Sequence, residues 1–106
     1  MATRANALVV MAKAPIGGEV KTRLVPPLSF QEAAELYRSL LLDLLEWVGS
    51  FQGADRYVAF SPAAAATLFE QLLPFGFSCF AQRGGDLGER MKNIFDELFG
   101  IGHRNV

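Results

Sequence analysis

Ala7-Leu8-Val9-Val10-Met11-Ala12, closed by Lys13 and followed by Ala14-Pro15-Ile16-Gly17-Gly18, is the stretch that decides the fold. Six apolar residues without alternation, ending in helix breakers, describe a short strand buried on both faces, the form a parallel sheet requires. From Pro15 to Pro27 the chain holds three prolines and two glycines, so this segment reads as a long loop, and long ordered loops often carry function. Beyond it, Ser29 and Glu32 have the spacing of a capping box. They predict a helix that runs to about Val48 and stops near Gly49-Ser50. Leu36, Leu40, Leu44 and Val48 form one stripe along it. Leu41, Leu42, Leu45 and Trp47 widen the apolar surface, which predicts burial on more than one side.

Arg56-Tyr57-Val58-Ala59-Phe60 reads as a second strand. Ser61 as N-cap and Pro62 at the first helical position predict a helix from Ala63 to about Leu73, broken at Pro74 to Gly76. Phe77 to Ala81 reads as a third strand. A turn at Gln82-Arg83-Gly84-Gly85 leads to a last helix from Leu87 to about Phe99. Strands and helices alternate, so the right-handed crossover rule gives a parallel sheet with helices on its faces, a Rossmann-like three-layer α/β arrangement. Residues 1–106 form one domain on this reading. Three strands are few for such a sheet, and the wide apolar surface of the first helix is hard to cover, so the chain is expected to be the N-terminal half of a larger domain.

Composition narrows the function. The 106 residues are 51% hydrophobic and 20% charged, with nine Phe, which excludes a disordered chain. A net charge of -1 gives no reason to expect a nucleic-acid or membrane-surface partner. Cys79 is the one cysteine and sits among Phe77 and Phe80. That excludes a disulfide framework and a cysteine metal site, fits a small core residue, and points to a reducing cytoplasmic location. No stretch approaches the roughly 18 apolar residues of a membrane span. His103, the one histidine, is expected near a frayed end.

Local charge is more telling. The first 26 residues carry Arg4, Lys13, Lys21 and Arg23 against Glu19 alone. In open α/β sheets ligands bind beyond the carboxyl ends of the strands, where Lys13 to Arg23 forms the first connection. Two lysines and an arginine beside flexible glycines can surround a diphosphate: Arg offers a fixed fork of donors, Lys a mobile charge, and Gly a close backbone approach. Lys21-Thr22 matches the end of a P-loop, but the positions that need glycine are Pro15 and Val20. After the third strand, Gly84, Gly85 and Asp86 could border an anion, a base edge or a hydroxyl. Asp86 and Glu89 also have capping-box spacing, which explains both acids without a ligand.

Met11 to Leu24, with Gly84-Gly85-Asp86-Leu87-Gly88-Glu89-Arg90-Met91 downstream, resembles a glycosyltransferase-A-like bacterial family associated with arsenosugar biosynthesis, within the nucleotide-diphospho-sugar transferase superfamily. The likeness spans nearly the whole chain. It implies a nucleotide or nucleotide-sugar substrate, glycosyl transfer or the nucleotidyl transfer of cofactor biosynthesis, and Mg²⁺ or Mn²⁺ in the full-length family. Lys13, Lys21 and Arg23 would hold phosphates, and Gly84, Gly85 and Asp86 would border the base or sugar. Gly17 stands where the family usually has proline, and the acidic metal-binding segment expected downstream is not in this sequence. The chain alone is therefore expected to lack transferase turnover. A different reading is a non-catalytic nucleotide-binding or assembly module, with the Leu-rich first helix forming a homodimer.

Overall fold

The computed structural model describes residues 4–18 and 20–106, leaving aside the Thr22 side chain. Three strands, β1 (Asn6–Lys13), β2 (Ala54–Ser61) and β3 (Phe77–Ala81), lie in the order β1-β2-β3. Both pairings are parallel, with Asn6 to Lys13 opposite Ala54 to Ser61 and Arg56 to Phe60 opposite Phe77 to Ala81. Helices α1 (Phe30–Gly49), α2 (Ala66–Leu72) and α3 (Leu87–Gly100) connect and follow them. The α/β class and the element order match the sequence reading.

α1 and α2 cover one face of the sheet and α3 the other. On the first face Leu41 and Leu45 of α1 and Phe69 of α2 pack with Ala12, Val58 and Phe60. The rings of Phe60 and Phe69 stack at 5.0 Å. On the second face Ile94 and Leu98 of α3 pack with Ala7 and Ala59. β2 is therefore the covered central strand, with Val58 and Ala59 fully buried. β1 forms an edge. Leu8 and Met11 are 37% and 36% exposed, so the burial on both faces expected of this strand is only partly realised.

Helix starts obey local chemistry. The Ser29 hydroxyl accepts the Glu32 N–H and the Glu32 carboxylate accepts the Ser29 N–H, both at 3.0 Å, which satisfies two otherwise orphaned donors. Asp86 caps α3 by accepting the Glu89 N–H at 2.8 Å. Ser61 does not cap α2. It is the last residue of β2, and a 3-10 turn at Ala63–Ala65 leads into α2 without any side-chain cap.

Two further expectations are corrected. The stripe Leu36, Leu40, Leu44 faces outward, 40%, 50% and 41% exposed, while Ala33, Ala34, Leu41, Leu45 and Val48 face the sheet. Both sets have helical spacing, and periodicity alone cannot choose between two apolar faces. His103 is not frayed. It is 3% exposed, and its Nδ1 lies 2.7 Å from the Arg4 carbonyl, which can only accept. Nδ1 therefore carries a proton, and Nε2 lies in hydrogen-bond contact with the Tyr57 hydroxyl at 2.7 Å. Among the described residues no helix is long and apolar enough to cross a membrane.

Candidate functional site

At the carboxyl ends of the strands lies a cleft of about 470 Å³. Its floor is Met11 to Lys13 of β1 and Ser61 of β2, and its walls are Tyr37 of α1, Gln82 beyond β3, and Leu87 and Arg90 of α3. β1, β2, the residue leaving β3 and both long helices contribute, because parallel connections bring each strand exit to the same end of the sheet. Two cations, Lys13 and Arg90, line the cleft, and among the described residues no carboxylate does.

Hydrogen bonds fix the polar groups. Lys13 ends an edge strand, so its N–H has no ladder partner; the Tyr37 hydroxyl accepts it at 2.9 Å. With one lone pair so engaged, the Tyr37 O–H proton is available as a donor. The Gln82 amide nitrogen donates to the Ala59 carbonyl at 2.8 Å and, at 3.5 Å, to the Ala12 carbonyl, across two strand ends. Its oxygen accepts from Arg90 at 3.5 Å, and Arg90 Nε donates to the Gly84 carbonyl at 3.1 Å. This chain of contacts holds the Arg90 guanidinium against the cleft wall.

The residues expected from sequence are divided by the structure. Lys13 lines the cleft. Lys21 and Arg23 lie in the loop after β1, exposed and outside the cleft lining, with Arg23 in a short 3-10 turn at Thr22–Leu24. That loop is anchored by Val20, 3% exposed. Gly84, Gly85 and Asp86 are exposed between two lining residues, Gln82 and Leu87. Gly84 has φ +133, and a Cβ there would stand 2.9 Å from the Arg90 backbone nitrogen, so glycine lets the turn press onto the first turn of α3. Tyr37 was not singled out from sequence, Ser61 was read only as a helix cap, and Gln82 and Arg90 stood at the ends of the segment after the third strand without a role of their own. Tyr37 leaves a signal: it shares the sheet-facing spacing of Leu41 and Leu45, a polar-tipped residue in an apolar row.

The remaining groups fit structural roles. Cys79 is half-buried against the core of the α1 face. Burial first, and the Glu70 charge second, push its thiol up, away from the thiolate a nucleophile needs. Among the described residues no three His, Cys, Asp or Glu side chains gather into a metal-sized cluster, and Asp86 is engaged as a helix cap. The described residues do not fit a divalent cation.

A wider hollow of about 1200 Å³ opens at the other end of the sheet, beside Arg4, Asp55, Arg56 and Phe75. Its cations are partly engaged: Arg56 donates from one terminal nitrogen to the Gly49 and Phe51 carbonyls while its buried Nε has no partner among the described residues, and Arg4 pairs with Asp55 at 3.8 Å. The carboxyl-end cleft keeps its donors unmatched by carboxylates, and is the better candidate.

Comparison with known proteins agrees on fold. A crystal structure from Desulfovibrio desulfuricans G20, provisionally described as a nucleotide-diphospho-sugar transferase, superposes with a TM-score of 0.83 at 31% identity over 95% of this chain. The match takes up 44% of that protein, so the chain spans less than half the length of this relative. No curated protein matches the chain. Residues 44–106 match the family described as "Uncharacterized protein conserved in bacteria (DUF2064)", and the chain belongs to that family.

Proposed function

We propose that the carboxyl-end cleft is the nucleotide half-site of a transferase that uses a nucleotide-diphospho-sugar, and that this chain corresponds to the N-terminal half of such a domain. The observation that carries the reading is the cleft lining: two cations, three neutral hydrogen-bonding side chains and, among the described residues, no carboxylate. A diphosphate matches that set, since charge-assisted bonds from Lys13 and Arg90 would meet its oxygens. Tyr37 and Ser61 would donate to oxygens of phosphate or sugar. Lys21 and Arg23 join only if the loop after β1 folds over a bound ligand. The D. desulfuricans relative supports the substrate class by its description and the arrangement by its fold. Nucleotidyl transfer uses the same half-site chemistry and is the alternative reaction. Mg²⁺ or Mn²⁺, where transfer needs it, would be held by carboxylates outside this chain. A soluble cytoplasmic enzyme is the setting that suits such a substrate.

An amide NMR titration of the chain with UDP, GTP and CTP in the presence of Mg²⁺ tests this. Shifts confined to Met11 to Lys13, Tyr37, Ser61 and Gln82 to Arg90 are expected, with Lys13→Ala weakening them. A dispersed spectrum that no nucleotide moves would sink the proposal.

A further inference from the structure

Arg56, near the start of β2, has one terminal nitrogen of its guanidinium engaged and one edge open. Nη1 donates to the Gly49 carbonyl at 2.6 Å and to the Phe51 carbonyl at 3.1 Å. A cation suits that place, because the last carbonyls of α1 have no partners within the helix. Nη1 carries two protons, and both are used. The edge formed by Nε and Nη2 has no hydrogen-bond partner among the described residues, and Nε is shut off from solvent. A buried donor without an acceptor forfeits the hydration it had in the unfolded chain, so such groups are rare and ask for an occupant.

The surroundings keep that edge open. A Cβ on Gly76 would stand 3.1 Å from Nη2 and 4.0 Å from Nε, so any side chain there would close it. The guanidinium carbon lies 5.9 Å from the centre of the Phe77 ring, which covers one face of the group and leaves its edge for a ligand. Arg56 and Gly76 both line the hollow of about 1200 Å³ at the amino end of the sheet. Asp55 in the same lining is committed to Arg4, accepting its N–H at 3.0 Å and pairing with its guanidinium at 3.8 Å. Among the described lining residues, Arg56 is therefore the cation left over. Two aromatic side chains flank it: Phe51, whose carbonyl holds Nη1, and Phe75, which precedes Gly76 and is fully exposed.

We infer that this hollow is a second ligand site, separate from the carboxyl-end cleft, and that it takes a small monocarboxylate with an apolar body. The two carboxylate oxygens meet Nε–H and Nη2–H of Arg56, whose spacing and plane match them. The body lies against Phe51 and Phe75, which gain cover from water. One surplus cation suits a single negative charge, whereas a diphosphate is better met by Lys13 and Arg90 at the other end of the sheet. Nε is reached when the Phe75–Gly76 turn moves aside, a shift that breaks no packing by the exposed Phe75 ring.

Titrating the 106-residue chain with benzoate, and separately with acetate and inorganic phosphate, tests the site through the NMR signals of the Arg56 Nε–H and the Gly76 amide. Benzoate should move both signals to saturation. Acetate, which has the carboxylate without the ring, should need at least about 10-fold higher concentration. Phe75→Ala should leave the fold intact, weaken benzoate by at least about 3-fold and leave acetate unchanged. An Arg56 Nε–H that benzoate does not move overturns the inference, as do benzoate and acetate binding alike. A response to phosphate as strong as that to benzoate also overturns it, reducing the site to a contact for any anion. So do benzoate shifts confined to the cleft around Lys13 and Arg90, which would place the carboxylate at the other end of the sheet.

Discussion

The Tyr37 hydroxyl lies 2.9 Å from the Lys13 backbone nitrogen and accepts its N–H, so a side chain of α1 completes the edge strand where it enters the candidate site. Tyr37→Phe keeps the ring and removes the acceptor. The loss should be about 0.5–1.5 kcal/mol, the net worth of one such bond. Nucleotide binding should weaken as well, because the phenol is also the cleft's donor. Denaturant midpoints and a UDP titration on the same variant separate the two effects. Unchanged affinity would remove Tyr37 from the site and leave its structural role intact.

Gly84 and Gly85 are adjacent but unequal. An alanine Cβ at Gly84 meets the Arg90 nitrogen and the Glu89 Cβ at 2.9 Å, at a φ that disfavours side chains; at Gly85 the nearest atom is the Glu89 carboxylate at 3.8 Å. Gly84→Ala should cost about 1–3 kcal/mol from strain, more if α3 must shift. Gly85→Ala should change the midpoint little. Equal effects in urea unfolding would contradict the close packing of the turn on α3.

These two examples show what sequence patterns could reveal. The three strands and the Ser29 capping box were legible because local residues decide them: a continuous apolar run, a Ser three before a Glu. Of the residues read from sequence, Lys13, the last residue of β1, lines the candidate cleft, and the Gly84 turn lies beside it between Gln82 and Leu87. Arg90 and Gln82 were not legible, because their roles come from contacts between β3, α3 and the ends of two other strands, which no spacing encodes. Which of Leu40 and Leu45 meets the sheet was not legible for the same reason: both faces of α1 are apolar, and only the position of the sheet distinguishes them.

Asp86 had two readings, cap and ligand, and the cap is present in the structure. Asp86→Ala should cost about 0.5–2 kcal/mol, the usual range for a lost N-cap, while Asp86→Asn should retain most of the stability. The pair also tests the second reading. If Asp86→Asn keeps the midpoint yet loses nucleotide affinity, the carboxylate has a role beyond the helix.

Tyr57 and His103 bind the start of β2 to the chain's last residues. Burial, and then the Asp55 charge, push the Tyr57 phenol above its ordinary value of 10.0. A group with a raised folded pKa is fully stabilising below its unfolded pKa and loses that contribution as pH rises. Stability should therefore fall from about pH 10 upward. In Tyr57→Phe that fall should be shallower, on a lower baseline because His103 Nε2 has lost its hydrogen-bond partner. Thermal melts across this range decide the point, and a slope that does not change in the variant would refute it.

Leu45 and Leu40 lie on the same helix but on opposite sides of its packing. Leu45 is fully buried, while Leu40 is 50% exposed. Leu45→Ala should cost about 2–5 kcal/mol through lost burial and the cavity left behind. Leu40→Asp should change the stability of this chain by no more than about 0.5 kcal/mol, as for other surface substitutions. The comparison also bears on assembly. If Leu40→Asp leaves the midpoint and the particle size unaltered, the outer leucine face is not buried in solution. If it lowers the midpoint only at concentrations where the wild-type chain is larger than a monomer, that face is a contact between copies, and the Leu36, Leu40 and Leu44 stripe holds them together.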